Sequence, residues 1–156
     1  MWKEIISIFK KDNLYQQAFE EACEMLDTDG RMYTASIESL RQHDSAEIDL
    51  DIYALDKEIN RSERDVRKKV MKHLMLSSDT QLNSGLALVS VVIDIERIGD
   101  YTKNIYDLAR SHPKRLKAGS LEAKLQEIEA HITEVFTHAI EAFKEGDEVL
   151  ARQVME

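Results

Sequence analysis

The stretch Val92–Ile105, VIDIERIGDYTKNI, decides the reading of this chain. Apolar residues recur at Val92, Ile95, Ile98 and Ile105, the three- and four-residue spacing of one helical face. Between them stand Asp94, Glu96, Asp100 and Asn104, with Arg97 alongside. Glu96, Asp100 and Asn104 are four residues apart, so their oxygens stack along the helix. Stacked carboxylates repel one another. They are tolerated when water solvates them or when a cation or hydrogen-bond donor neutralises them.

A second segment upstream poses the same question. In DKEINRSE, Asp56, Asn60 and Glu63 share a helical face. Carboxylate and amide oxygens on facing helices are the ligands that hard and intermediate cations prefer. The solvated alternative stays open, because Lys57, Arg61, Arg64 and Arg67 are ready intrahelical partners and Arg97 can neutralise an acid. No His stands among these acids, which counts against a di-iron oxidase of the ferritin-like type.

The rest of the chain reads as helix. One Pro and five Gly in 156 residues are too few for a many-turned sandwich or barrel. After an amphipathic opener with Trp2, Ile5, Ile6 and Phe9, a stripe from Leu14 through Ala18, Ala22, Met25, Met32, Ile37 and Leu40 predicts a first long helix. Gly30 marks a place for it to bend. The Asp27–Gly30 run lacks the ligands of a calcium loop. Asp44 with Glu47 predicts a capping box for a second helix over 46–77, with core face Ile48, Ile52, Leu55, Ile59, Val66, Val70 and Leu74. Ser78 with Gln81 opens a third over 79–111, with Leu82, Leu86, Val89 and Ile93 adding to its apolar side. SHPKRLKAGS is a linker, and Ser120 with Glu122 starts a fourth helix bearing Leu121, Leu125, Ile128, Ile132, Val135, Phe136, Ile140 and Phe143.

The expected fold is all-α: an antiparallel three-helix bundle over 1–112, a linker at 113–119, and an additional C-terminal helix in 120–156. MYTASIESLRQHD from Met32 resembles VFTHAIEAFKEGD from Val135, matching Thr34 to Thr137, Ile37 to Ile140, Glu38 to Glu141 and Asp44 to Asp147. The fourth helix therefore reads as the first helix of an incomplete second repeat.

Composition excludes several functions. A net charge of −9 argues against nucleic acid and against adsorption to anionic membranes. No apolar run is long enough to span a bilayer, and no secretory signal is visible. A single cysteine rules out an internal disulfide and is compatible with a reducing compartment without proving one; a cytoplasmic location is expected. No Gly-rich phosphate cradle, nucleophile elbow or HExxH is present, and the five His are scattered, so no catalysis is expected.

DKEINRSE followed by DIERIGDYTKNI resembles the PhoU family of phosphate-signalling regulators, with Asn60 where that family often has Asp. The resemblance implies a tandem three-helix bundle whose acidic motifs bind metal, iron or zinc among them. It thereby implies Asp56, Asn60, Glu63, Asp94, Glu96, Asp100 and Asn104 as ligands. It also implies a non-enzymatic regulator of phosphate uptake and phosphate-starvation signalling. The implied partners are a phosphate transporter and a sensor histidine kinase, with peripheral membrane association through them. An unpaired fourth helix adds the expectation of a homodimer. A cytosolic regulatory domain of a sodium/phosphate cotransporter and a metal-free helical adaptor are the alternatives.

Overall fold

The computed structural model describes residues 2–76, 82–112 and 114–156, with side chains from Leu14 onward. Among them are helices and no strand. The order is α1 (Trp2–Gln42), α2 (Ile52–Leu76), α3 (Leu82–Ser111), a 3₁₀ turn (Gly119–Leu121), α4 (Glu122–Glu145) and α5 (Glu148–Met155). The all-α expectation holds. The expected opener and first helix are one helix, continuous through Gly30. The expected Ser78/Gln81 cap lies outside the described residues.

The chain forms two compact units. The first combines the chain up to Thr28 with Tyr53–Tyr101. It is a bundle of three helical segments, and its core is Ala18, Ala22, Met25 and Leu26 from α1, Ile59, Val66 and Val70 from α2, and Leu88, Val92 and Ile95 from α3. Tyr15 stacks obliquely on the buried ring of His73, with centroids 5.6 Å apart, and Lys69 pairs with Glu21, so α1 and α2 run antiparallel. Leu74 presses on Gly85: a Cβ at Gly85 would lie 2.8 Å from Leu74 Cδ2. That close approach sets the antiparallel register of α2 and α3. Two expected core residues are displaced. Leu82 and Leu86 are exposed, because Leu88, Val92 and Ile95 turn the adjacent face inward.

The second unit combines Asp29–Ile52 with Thr102–Glu156. Residues 43–51 are not helical, so the predicted start of the second helix moves from 46 to Ile52. A tertiary bond claims the Asp44 oxygen that a capping box needs, and a second one holds the segment beside it. Asp44 Oδ1 accepts from the Arg115 backbone N–H at 3.3 Å, and the Tyr106 hydroxyl donates to the Ala46 carbonyl at 3.1 Å.

α4 lies antiparallel on the second half of α1. Tyr33 meets Phe136 edge to face at 5.6 Å, and a Cβ on Gly30 would lie 3.2 Å from Ile140 Cδ1. Arg41 closes the other end. Its guanidinium donates to the Leu116 carbonyl and to Glu122, and its Nε lies 2.8 Å from Glu129 Oε1, an ion pair too bent to be a full hydrogen bond. The Leu116 N–H donates to the Leu40 carbonyl at 2.7 Å, satisfying an acceptor at the helix end. Ser120 does not cap α4, whose N-cap Leu121 makes no side-chain cap bond; Glu122 reaches back instead and accepts from the Ala118 N–H at 2.8 Å. That bond, helped by Arg41, holds the Glu122 carboxyl below the usual carboxylate range, while Glu122 raises the Arg41 guanidinium further. Gly146, at φ +66°, ends α4 in the left-handed conformation that glycine takes without strain. Asp147 then caps α5, accepting from Val149 and Leu150 N–H.

Arg41→Ala should lower stability by about 2 kcal/mol, the scale of hydrogen bonds to charged groups, measured by urea unfolding at neutral pH. Glu122 titrates below its unfolded value, so its contribution is complete above the ordinary carboxylate range and is lost as pH falls through the folded value. The gap between wild type and variant should therefore narrow in acid. Ser36 and Ser39 are buried in α1 with hydroxyls that find no hydrogen-bond partner. Removing an unsatisfied buried hydroxyl relieves a desolvation cost. Ser36→Ala should hold or raise Tm in a thermal melt.

Candidate functional site

The antiparallel register of α2 and α3 carries the acidic residues to one level. With Leu74 level with Gly85, Asn60 lies level with Gly99, and Glu63 with Glu96. Gly99 is buried there, where a small residue lets helices approach closely. Asp56, Asn60, Glu63, Asp94, Glu96 and Asp100 all belong to the first unit, and Asn104 to the second.

Their surroundings separate them. Asp56, Glu96 and Asp100 are half-buried. Glu63 is nearly covered, with its side chain 13% exposed, and takes a 2.7 Å ion pair from Arg67 one turn on. The Asn60 amide donates to the Asp56 backbone carbonyl at 2.9 Å, an intrahelical bond that turns its nitrogen back along α2. Asp94 stands in solvent at 71% exposure, paired with Arg97 at 3.2 Å. Asn104 is exposed.

Among the described residues no three His, Cys, Asp or Glu side chains come together as a group that could hold a metal ion. Oxygen donors are the right chemistry for a hard or intermediate cation, but the seven residues do not fit a single centre as placed. Three have other commitments: Glu63 to Arg67, Asp94 to Arg97 and water, and Asn60 to its own helix. Asp56, Glu96 and Asp100 are half-buried carboxylates of the first unit and are engaged in polar interactions of their own.

A family model described as PhoU domain matches residues 22–109, more than half of the chain. The chain belongs to the PhoU family. No curated protein and no solved structure matches it. The PhoU match holds all seven acidic-motif residues and stops before α4 and α5. It brings a phosphate-related regulatory role and a family that is generally not enzymatic. No helix among the described residues is long and apolar enough to cross a membrane.

Two residues of structural weight escaped the sequence reading. His73 is a core residue stacked on Tyr15, and its only sequence signal is its place on the Ile59–Val66–Val70 stripe. Arg41 follows a helix stripe like any terminal base, and its partners lie 75 and 81 residues away.

An exposed pair three residues apart is worth little. Arg97→Ala should change the unfolding free energy by less than about 0.5 kcal/mol in urea titration, with the Asp94 carboxylate solvated before and after.

Proposed function

We propose that this PhoU-family chain is a non-enzymatic regulator of phosphate transport and phosphate-starvation signalling that acts by protein contact. The observation that carries the reading is the PhoU match over 22–109, with DIERIGDYTKN inside it on α3. Transporter components and a sensor histidine kinase are the partners this reading implies, and a cytoplasmic location and homodimerisation go with it.

Metal binding belongs to the proposal as the family resemblance implies it, on acidic-motif residues that would have to draw together around the ion. Glu96 and Asp100, one turn apart on α3, and Asp56 on α2 supply the carboxylates. Asn60, Glu63 and Asn104 are the flanking oxygens, and Asp94 is the outermost. Glu63 joins the set only if it leaves Arg67. An iron or zinc ion held there would offset the repulsion of the stacked acids and stiffen that part of the bundle.

Elemental mass spectrometry of the purified protein tests the metal, beside an Asp56→Ala/Asp100→Ala double variant. Iron or zinc near one equivalent in wild type, lost in the variant, is the expected result. Metal in neither protein removes the metal and leaves regulation by contact. Phosphate uptake and a phosphate-starvation reporter, followed in cells with and without the intact gene, test the regulation itself. Loss of the chain should derepress both, and unchanged responses in both would sink the regulatory reading.

A further inference from the structure

The end of the first unit at which α2 stops and α3 begins is apolar on its outside. Met75 is 82% exposed there, and Met71, Leu76, Leu82 and Leu86 are each 45–53% exposed. They come from two helices, and the seat of Leu74 on Gly85 brings them to one end. In that register Leu86 lies level with His73, and Leu82 just past the last residue of α2. At 1.5 Å per residue all five lie within about 8 Å of that end. The core does not claim them, because Val66, Val70 and His73 are the inward face of α2, and Gly85, Leu88 and Val92 that of α3. Singly exposed apolar residues are ordinary, but five together make a patch that calls for a partner.

Behind this tip stand bases. Arg64, Arg67, Lys68 and Lys72 are exposed on the same outward face of α2 as Met71 and Met75, and α3 has no charged residue from Leu82 to Ile93. From Arg64 to Ile93 the chain has five bases and two acids, so this end holds +3 and leaves −12 for the rest of a chain whose total is −9. Of those two acids, Asp65 is paired with Lys68 at 3.2 Å, and Asp79 lies outside the described residues. Glu63, the nearest acid of the motif on α2, stands about 20 Å back from Leu76 along the helix axis. That is about two Debye lengths at physiological salt, so the acidic rows act weakly at the tip.

We infer that this end of the bundle docks directly on the surface of an anionic bilayer. Met71, Met75, Leu76, Leu82 and Leu86 enter the boundary between headgroups and acyl chains, where a burial depth of about 5–10 Å matches the length of the apolar tip. Lys72 and Lys68 then reach lipid phosphates with their stems laid along the apolar residues, and Arg64 and Arg67 follow behind. An apolar patch alone fits any partner. Bases set one to three turns behind it select a surface that is negative at its face and apolar beneath, and an anionic bilayer is both. The whole-chain charge predicts repulsion from such a surface; its uneven distribution reverses the sign at this end. Held end-on, the chain keeps the acidic faces of α2 and α3 clear of the lipid.

The inference concerns where the protein is held, and it stands or falls apart from the phosphate tests of the regulatory reading. Flotation of the full chain with vesicles tests it. Vesicles of phosphatidylglycerol and phosphatidylcholine in equal parts should carry the protein with them. Phosphatidylcholine alone should not, and high salt should weaken the binding. Lys68→Glu/Lys72→Glu should lower the affinity by more than about tenfold, and Met75→Ser/Leu82→Ser on the order of tenfold. Both variants should keep their helicity and Tm, since all four positions are exposed. Wild-type protein that floats with neither vesicle overturns the inference and leaves the patch to a protein partner. Equal binding to both kinds of vesicle overturns it as well. So does full binding by either variant, which would place the lipid contact elsewhere in the chain.

Discussion

The guanidinium of Arg41, its side chain 9% exposed, is the constraint on which the second unit depends. A charge so nearly covered costs free energy unless it is matched, and here a backbone carbonyl and the Glu122 carboxylate accept from it while the Glu129 carboxylate lies beside its Nε as an ion pair. The match reaches in two directions. The Leu116 carbonyl ties down the linker, and Glu122 and Glu129 tie down the first two turns of α4. Glu122 serves twice, since it also accepts from the Ala118 N–H at the helix start. The seating of Tyr33 on Phe136 and of Ile140 near Gly30 follows from an α4 already held at its beginning. Breaking one charge therefore exposes several bonds rather than one.

The first unit rests on different physics. Its helices are held by small-to-large contacts: Ala18 and Ala22 on α1, and Gly85 beneath Leu74. The same close packing brings the acidic rows of α2 and α3 level with one another, where their repulsion must be managed. Arg67 does so for Glu63 and Arg97 for Asp94, each from within its own helix.

Much of this was legible in the sequence, and the reasons differ from residue to residue. The stripes Ala18–Ala22–Met25 and Ile59–Val66–Val70 announce their helices because a helix with one buried face must repeat every three or four residues. The VIDIERIGDYTKN segment reveals the family because its charges and its Gly interrupt that repeat at fixed places. The start of α2 was misplaced because Asp44 is a plausible cap whose oxygen is claimed instead by Arg115, 71 residues away. The burial of Leu88 in place of Leu86 was hidden because α3 is apolar on several sides, so periodicity alone does not say which side turns inward. Of the site, residue types and spacing were readable. Which of the nearby bases pairs with Glu63, and the solvent exposure of Asp94, were not, because they depend on side-chain directions.

The pinned linker has a biochemical consequence. Lys114, Arg115 and Lys117 make a basic stretch outside the helices of an acidic protein, chemically a target for trypsin. A protease must draw its substrate out as an extended strand, and here the N–H of Leu116 is bonded to Leu40 and its carbonyl to Arg41. The Arg115–Leu116 bond can be cut only when those two contacts open together. Its rate of cleavage is thus a direct reading of how often the second unit breathes.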